Sequence, residues 1–206
     1  MTYIVIDFEF NQPFDFPKGT KTVLVPGCPQ EIMQIGAVKL DGGLAETDRV
    51  RINVRPSLYP RVHPFVSHMT GIKNRDLNGA WGLPRAYRRL AAFMGRDHKR
   101  VLCFWGPDDV RALFENIECF GLDERLITRR YINVQKLADA ALGQPKSRQI
   151  SLKSAAEAFG VTADFGKYHD ALNDALYTAE IFRKVKREDT VVLTYVSPPK
   201  AEPFFG

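Results

Sequence analysis

The sequence predicts one α/β domain on a mixed sheet. Three observations carry that expectation. Strand patterns come first, then a strand and a run of helices, which is the order of an α/β layered fold. The 206 residues suffice for one full-sized core and are short for two. Composition is 45% hydrophobic and 26% charged, as in an ordinary soluble globular chain. No apolar run approaches the ~20 residues that cross a bilayer, so no membrane span is expected.

Residues 3–10 read as a strand rich in β-branched and aromatic residues. A connection punctuated by Pro and Gly follows over 11–31, long enough to be either functional or folded over the surface. Strands are expected at 32–40 and 48–55, joined as a hairpin by Asp41-Gly42-Gly43. Residues 56–80 carry short helical turns at best. A helix over 84–95 has Pro84 suited to its first turn and Gly95 to its stop. Val101–Trp105 reads as a short buried strand, and 107–120 as a helix stopped by Gly121. Helices near 134–142 and 151–159 follow, the second capped by Ser151. The best-defined helix runs from about 170 to 187, with Ala171, Leu172, Ala175, Leu176, Ala179, Phe182 and Val185 on one stripe. A strand at 190–196 would precede a Pro-rich tail over 197–206. With no repeat and no linker visible, 1–206 is expected to be a single domain with its core at about 3–187.

The first residues enter a strand-like segment without a basic region and small-residue cleavage site, so no secretory signal is expected. Cys28, Cys103 and Cys119 are odd in number and lack metal-ligand spacing, which reads as reduced thiols in a cytoplasmic protein. Net charge is +5 and the pI about 9.1, which leans toward a polyanionic partner but is weak alone.

Asp7 and Glu9 sit two apart in the first strand, so both carboxylates share a face while Ile4, Ile6, Phe8 and Phe10 point to a core. Adjacent carboxylates in an apolar strand repel each other and are costly to desolvate. A divalent cation compensates, and oxygen-only ligands favour Mg²⁺ or Mn²⁺ over zinc. For an isolated Asp-x-Glu, a strand with one wet face is the better reading. Asp108-Asp109 follows the Val101–Trp105 strand and a Gly106-Pro107 turn, where α/β sheets commonly place ligand groups. Taken alone, Asp108 reads better as a helix cap. His169 and Asp174 are five apart and would not share a face of one helix. They converge only if His169 lies on the loop entering the helix, with Asp170 as N-cap. A histidine on a mobile loop beside carboxylates suits a general base, and the alternative is a surface histidine with a solvated acid.

Together Asp7, Glu9, Asp109, His169 and Asp174 resemble the three motifs of the DEDDh superfamily of 3′→5′ exonucleases, in order and in structural setting. The resemblance spans about 3–187 and is supported by Glu31–Val38, by Met69-Thr70-Gly71-Ile72, and by Ser151-Leu152 with Phe159-Gly160. The opening IDFEFN and the segment Trp105-Gly106-Pro107-Asp108-Asp109 are most similar to the Eri-like and KapD-like branch, and the register favours Asp109 over Asp108.

The resemblance implies a ribonuclease-H-like fold with a mixed five-stranded sheet flanked by helices. It implies two Mg²⁺ or Mn²⁺ ions about 4 Å apart. Asp7, Glu9 and Asp174 would hold one and Asp7 would be shared with the other. Asp109 would coordinate directly or through water, and His169 would be the base. Met69 and Thr70 would meet the terminal nucleotide. Phe65 and Trp105 are candidate stacking surfaces, with core packing as the alternative, and Phe10 joins them as a substrate contact. Arg85, Arg88 and Arg89, and separately Arg183, Lys184, Lys186 and Arg187, are candidate phosphate contacts or merely solvated faces.

The implied function is hydrolysis of single-stranded RNA or DNA from the 3′ end, RNA favoured, to nucleoside 5′-monophosphates. A DNA repair or proofreading exonuclease, and a non-catalytic nucleic-acid-binding regulator on the same fold, are the alternatives. A pure binding module has no need of all five filled positions.

Overall fold

The fold is organised around one strand, β1 (Thr2–Asn11), in a computed structural model that describes residues 1–14, 24–145 and 147–197. On one side β1 pairs antiparallel with β2 (Glu31–Leu40), which pairs antiparallel with β3 (Glu46–Asn53). On the other it pairs parallel with β4 (Arg100–Phe104), which pairs parallel with β5 (Arg130–Asn133). β6 (Leu193–Thr194) closes that edge, giving the order β3-β2-β1-β4-β5-β6.

The sheet is mixed, as expected, but has six strands rather than five. The added strand is β5. The strand expected at 190–196 shrinks to two residues. β5 has no sequence signal, because its four residues bury only Ile132 and are strand through pairing with β4 and β6. Residues 15–23 of the long connection and 198–206 of the Pro-rich tail lie outside the described residues.

Seven helices are described: α1 (Pro64–Thr70), α2 (Asn74–Leu77), α3 (Leu83–Met94), α4 (Asp108–Cys119), α5 (Val134–Ala141), α6 (Leu152–Ala158) and α7 (Ala171–Val185). Period two makes β1 serve both layers. Ile4, Ile6 and Phe8 pack with Leu83, Ala86 and Leu90 of α3 and Val110, Leu113 and Ile117 of α4. Tyr3 and Val5 face the other way, onto Ala138, Ala155, Ala175, Ala179 and Phe182 of α5, α6 and α7. Each fully buried aliphatic side chain contributes about 1.5–3 kcal/mol, so a sheet covered on both faces is a rigid floor. Alanines on the stripe of α7 bring that helix close to the floor.

Candidate active site

The site is built on rows that cross β1, β2 and β3. Asp7 lies opposite Gly36, which lies opposite Arg51; Glu9 lies opposite Gln34, which lies opposite Asn53. A Cβ on Gly36 would fall 2.0–2.2 Å from backbone atoms of Ala171 and Leu172. Only glycine lets the first turn of α7 rest on β2 there. Gln34 fixes that contact: its Oε1 accepts from the Ala171 N–H at 2.9 Å, and its Nε2 donates to Asn53 Oδ1 at 3.0 Å.

Asp174, one turn into α7, is thereby carried over the acids of β1. Asp170 caps the helix, its side chain accepting from the Asn173 N–H at 3.2 Å. His169 lies outside the helix in a left-handed conformation, φ 63°, which histidine adopts more readily than most residues. Its N–H donates to Asp174 Oδ2 at 3.0 Å. A ring nitrogen of the exposed imidazole and one carboxylate oxygen each of Glu9 and Asp174 lie within 4.8 Å of one another. That places His169 within ligating reach as well as within reach of a proton.

Asp109 comes from a different element. β4 runs parallel to β1, so its end opens beside Asp7, and Gly106 at φ 96° turns the chain into α4. Asp109 is buried. Asp108 is exposed and paired with Arg111 at 2.9 Å. The cap reading of Asp108 needs correction: Pro107 occupies the cap, Asp108 is the first helical residue, and no side chain caps this helix.

Burial, then the field of neighbouring carboxylates, drives all four acids toward their neutral forms. Asp7 is held well above the carboxylate range by burial, Asp109, Asp174 and Glu9. Burial, with Asp174 and Asp109, pushes Glu9 up to about 8. Burial, with Asp108 and Asp174, pushes Asp109 up to about 8. Burial raises Asp174 to about 7 against the lowering effect of the His169 N–H. Asp174 Oδ1 is buried and meets no hydrogen-bond partner among the described residues. An unpartnered anionic oxygen among crowded carboxylates is the donor set that a hard divalent cation takes.

The expected substrate contacts divide. Phe65 and Met69 on α1 are 59% and 39% exposed and offer open apolar surface. Thr70 is engaged within its own segment, donating to Val66 O at 2.9 Å and accepting from the Ile72 N–H at 3.0 Å. Trp105 and Phe10 are partly buried against the two core layers, so packing claims much of each. α1 is set beside the strand end by Asn11, whose Nδ2 donates to Tyr59 O and Arg61 O and whose Oδ1 accepts from the His63 N–H.

Gln34, Gly36 and Arg51 carry no chemical motif of their own and take their roles only from cross-strand pairing. Arg51 Nη2 donates to Asp170 Oδ1 at 2.6 Å and to Asn173 Oδ1 at 3.3 Å, tying the His169 loop to β3.

The basic cluster at the end of α7 is engaged in structure. Arg183 bonds Leu44 O at 2.9 Å and pairs with Glu180, and Lys186 lies over the Tyr3 ring.

Comparison with known proteins gives concordant results. A family model described as "Exonuclease" matches residues 4–182. The proteins named "ERI1 exoribonuclease 3" of Bos taurus and Homo sapiens are each 23% identical, over 75% of this chain and 48% of theirs. The chain thus spans about half the length of the curated relatives it matches. The solved nuclease domain of 3′hExo, described as a DEDDh family member bound to rAMP, superposes with a TM-score of 0.76 at 22% identity, covering 96% of this chain and 97% of that one. A 3′-exonuclease solved for recognition of a histone mRNA stem-loop superposes with a TM-score of 0.74 at 20% identity, covering 95% and 91%. Both likenesses concern the fold.

Proposed function

The chain belongs to the exonuclease family, and from that premise we propose a divalent-metal-dependent 3′→5′ exonuclease of the DEDDh, Eri-like and KapD-like branch, acting on single-stranded nucleic acid. RNA is the preferred substrate over DNA, and nucleoside 5′-monophosphates are the products. One observation carries this reading: four carboxyls from β1, α4 and α7 share one buried space with an unpartnered Asp174 oxygen. A strand with one wet face accounts for none of that.

Asp7, Glu9, Asp109 and Asp174 would hold two Mg²⁺ or Mn²⁺ ions. Bound there, the ions would offset the charge of the scissile phosphate and acidify an attacking water. His169 accepts the proton of that water at a ring nitrogen and, being exposed, passes it to solvent. Arg51 holds the loop that carries the imidazole. Phe65 and Met69 provide the surface on which the terminal nucleotide rests, because apolar and aromatic surface accepts any base. The printed names of the relatives, an exoribonuclease and a histone mRNA exonuclease, support RNA over DNA.

Free thiols at Cys28, Cys103 and Cys119 support a reducing compartment, hence the cytoplasm. No described helix is long and apolar enough to cross a membrane.

Mass spectrometry of products from single-stranded RNA and DNA, with Mg²⁺ or Mn²⁺, tests the reading. Nucleoside 5′-monophosphates from free 3′ ends, little product from 3′-phosphorylated ends, and none in chelator are expected. Cutting of circles, or full turnover in chelator, would overturn it.

A further inference from the structure

We propose that a cleft on the free edge of β3 is a second nucleic-acid subsite, taking the strand on the 5′ side of the nucleotide being removed. The proposal rests on the exonuclease reading above for its ligand.

The cleft arises because the neighbouring segment pairs with the β3 edge only briefly. Val54 and Trp81 form a single parallel bridge, and the Arg55 N–H donates to Trp81 O at 2.9 Å. From Val50 to Asn53 the outer edge of β3 has no strand partner among the described residues. A cavity of about 470 Å³ lies there, lined by Arg51, Asn53, Asp76, Gly79, Trp81 and Arg89 among others. Gly79 leaves its wall open, with nothing within 4 Å of the place a Cβ would take.

Chemistry selects the occupant. Trp81 is 37% exposed, and the Arg85 guanidinium lies 4.3 Å over its ring. An exposed aromatic–guanidinium stack is a surface for bases of any sequence. Arg89, one turn further along α3, and Arg51 add two cations suited to phosphate. The lining acid, Asp76, is committed to the Lys73 N–H at 2.9 Å and to Arg75 at 3.6 Å.

The cleft is also connected to the acids. Arg51 lines it and reaches Asp170, beside His169, and it stands in the same cross-strand row as Gly36 and Asp7. Only one nitrogen of its five-donor guanidinium is held by these bonds, which leaves donors for a phosphate. An extended peptide adding to the β3 edge is the competing occupant. Two lining arginines, an exposed indole stacked with a third arginine, and one committed carboxylate argue for a polyanion with planar groups.

Fluorescence anisotropy with 5′-labelled single-stranded RNA of two to ten nucleotides tests this, using the full chain in chelator so that no strand is consumed. Trp81→Ala and Arg89→Glu are both at exposed positions, so neither empties the core. Affinity is expected to tighten with length. Each substitution should weaken the longest strand by about tenfold, the scale of one lost stacking or phosphate contact, and leave the dinucleotide unchanged. Variants that bind ten nucleotides as tightly as the parent would overturn the subsite, as would a parent whose affinity does not grow with length. A parent that shows the length dependence and loses it in both variants, yet degrades nothing when metal is restored, would uphold the subsite and strike the nuclease reading.

Discussion

Two buried acids, one on β2 and one on α7, meet opposite fates. Glu31, at the start of β2, is fully buried, and its carboxylate accepts from the N–H groups of Ser57 at 2.6 Å, Leu58 at 2.9 Å and Tyr59 at 2.8 Å. Every lobe of that charge has a protein partner, and the return is the path of the chain toward α1. Asp174 has one oxygen on the His169 N–H, another oxygen on nothing, and three more carboxyls around it. The first arrangement completes itself during folding, and the second leaves an oxygen free for the proposed cation. What separates a structural acid from a functional one here is the supply of N–H donors, which is a property of the backbone around it.

The comparison breaks first at the unsatisfied end. Asp7→Asn and Asp174→Asn should each reduce turnover by at least about 10³-fold, as expected for charge removed from where it is used in the transition state. The metal-free variants should be no less stable than the parent, because a repelling charge is gone. A variant with near-parental turnover would remove that residue from the site.

His169→Ala should lower turnover by about 10²–10⁴-fold and leave Mn²⁺ affinity intact, the mark of a base rather than a ligand. Loss of Mn²⁺ affinity would make the imidazole a ligand, a role its position also permits.

Stability against pH sharpens the contrast further. In the metal-free protein Glu9, Asp109 and Asp174 hold their protons up to about 8, 8 and 7. In the unfolded chain they lose them near 4. Between those values the native state binds more protons, so its stability falls as pH rises. The contribution is whole below about pH 4 and spent above about pH 8. Thermal melts from pH 5 to 8 should therefore show a declining Tm in chelator, relieved by Mn²⁺; a Tm that climbs through this range in chelator would contradict the assignment.

The smallest expected effect belongs to the satisfied end. Glu31→Gln replaces an acceptor oxygen with an NH₂ facing N–H groups, and should cost about 2–3 kcal/mol of stability. Urea melts would measure it, and an unchanged midpoint would mean that the three bonds are dispensable.

How much of this was legible beforehand depends on the range of the interactions. Period two on β1 and the stripe on α7 are local, so the faces of Asp7, Glu9 and Asp174 could be read directly. β5 was not legible, because Arg130–Asn133 is strand by its long-range pairing with β4 and β6. Asp108 was read as a cap because Asp fills that role well, whereas the chain turns at Gly106 and starts the helix from Pro107. Arg51 carries no local signal, since its partners Asp170 and Asn173 are about 120 positions away. The cleft beside Trp81 depends on where one β-bridge stops, which no sequence pattern records.

The most direct test of the central claim is a calorimetric Mn²⁺ titration near pH 7 in two buffers of different ionisation enthalpy, on the parent and on Asp174→Asn. Carboxyls that hold protons at this pH must release them to bind a metal. The account predicts saturable binding by the parent with an apparent enthalpy that changes with the buffer, and marked weakening in Asp174→Asn. Equal binding by the two proteins, or no binding by the parent, would contradict it.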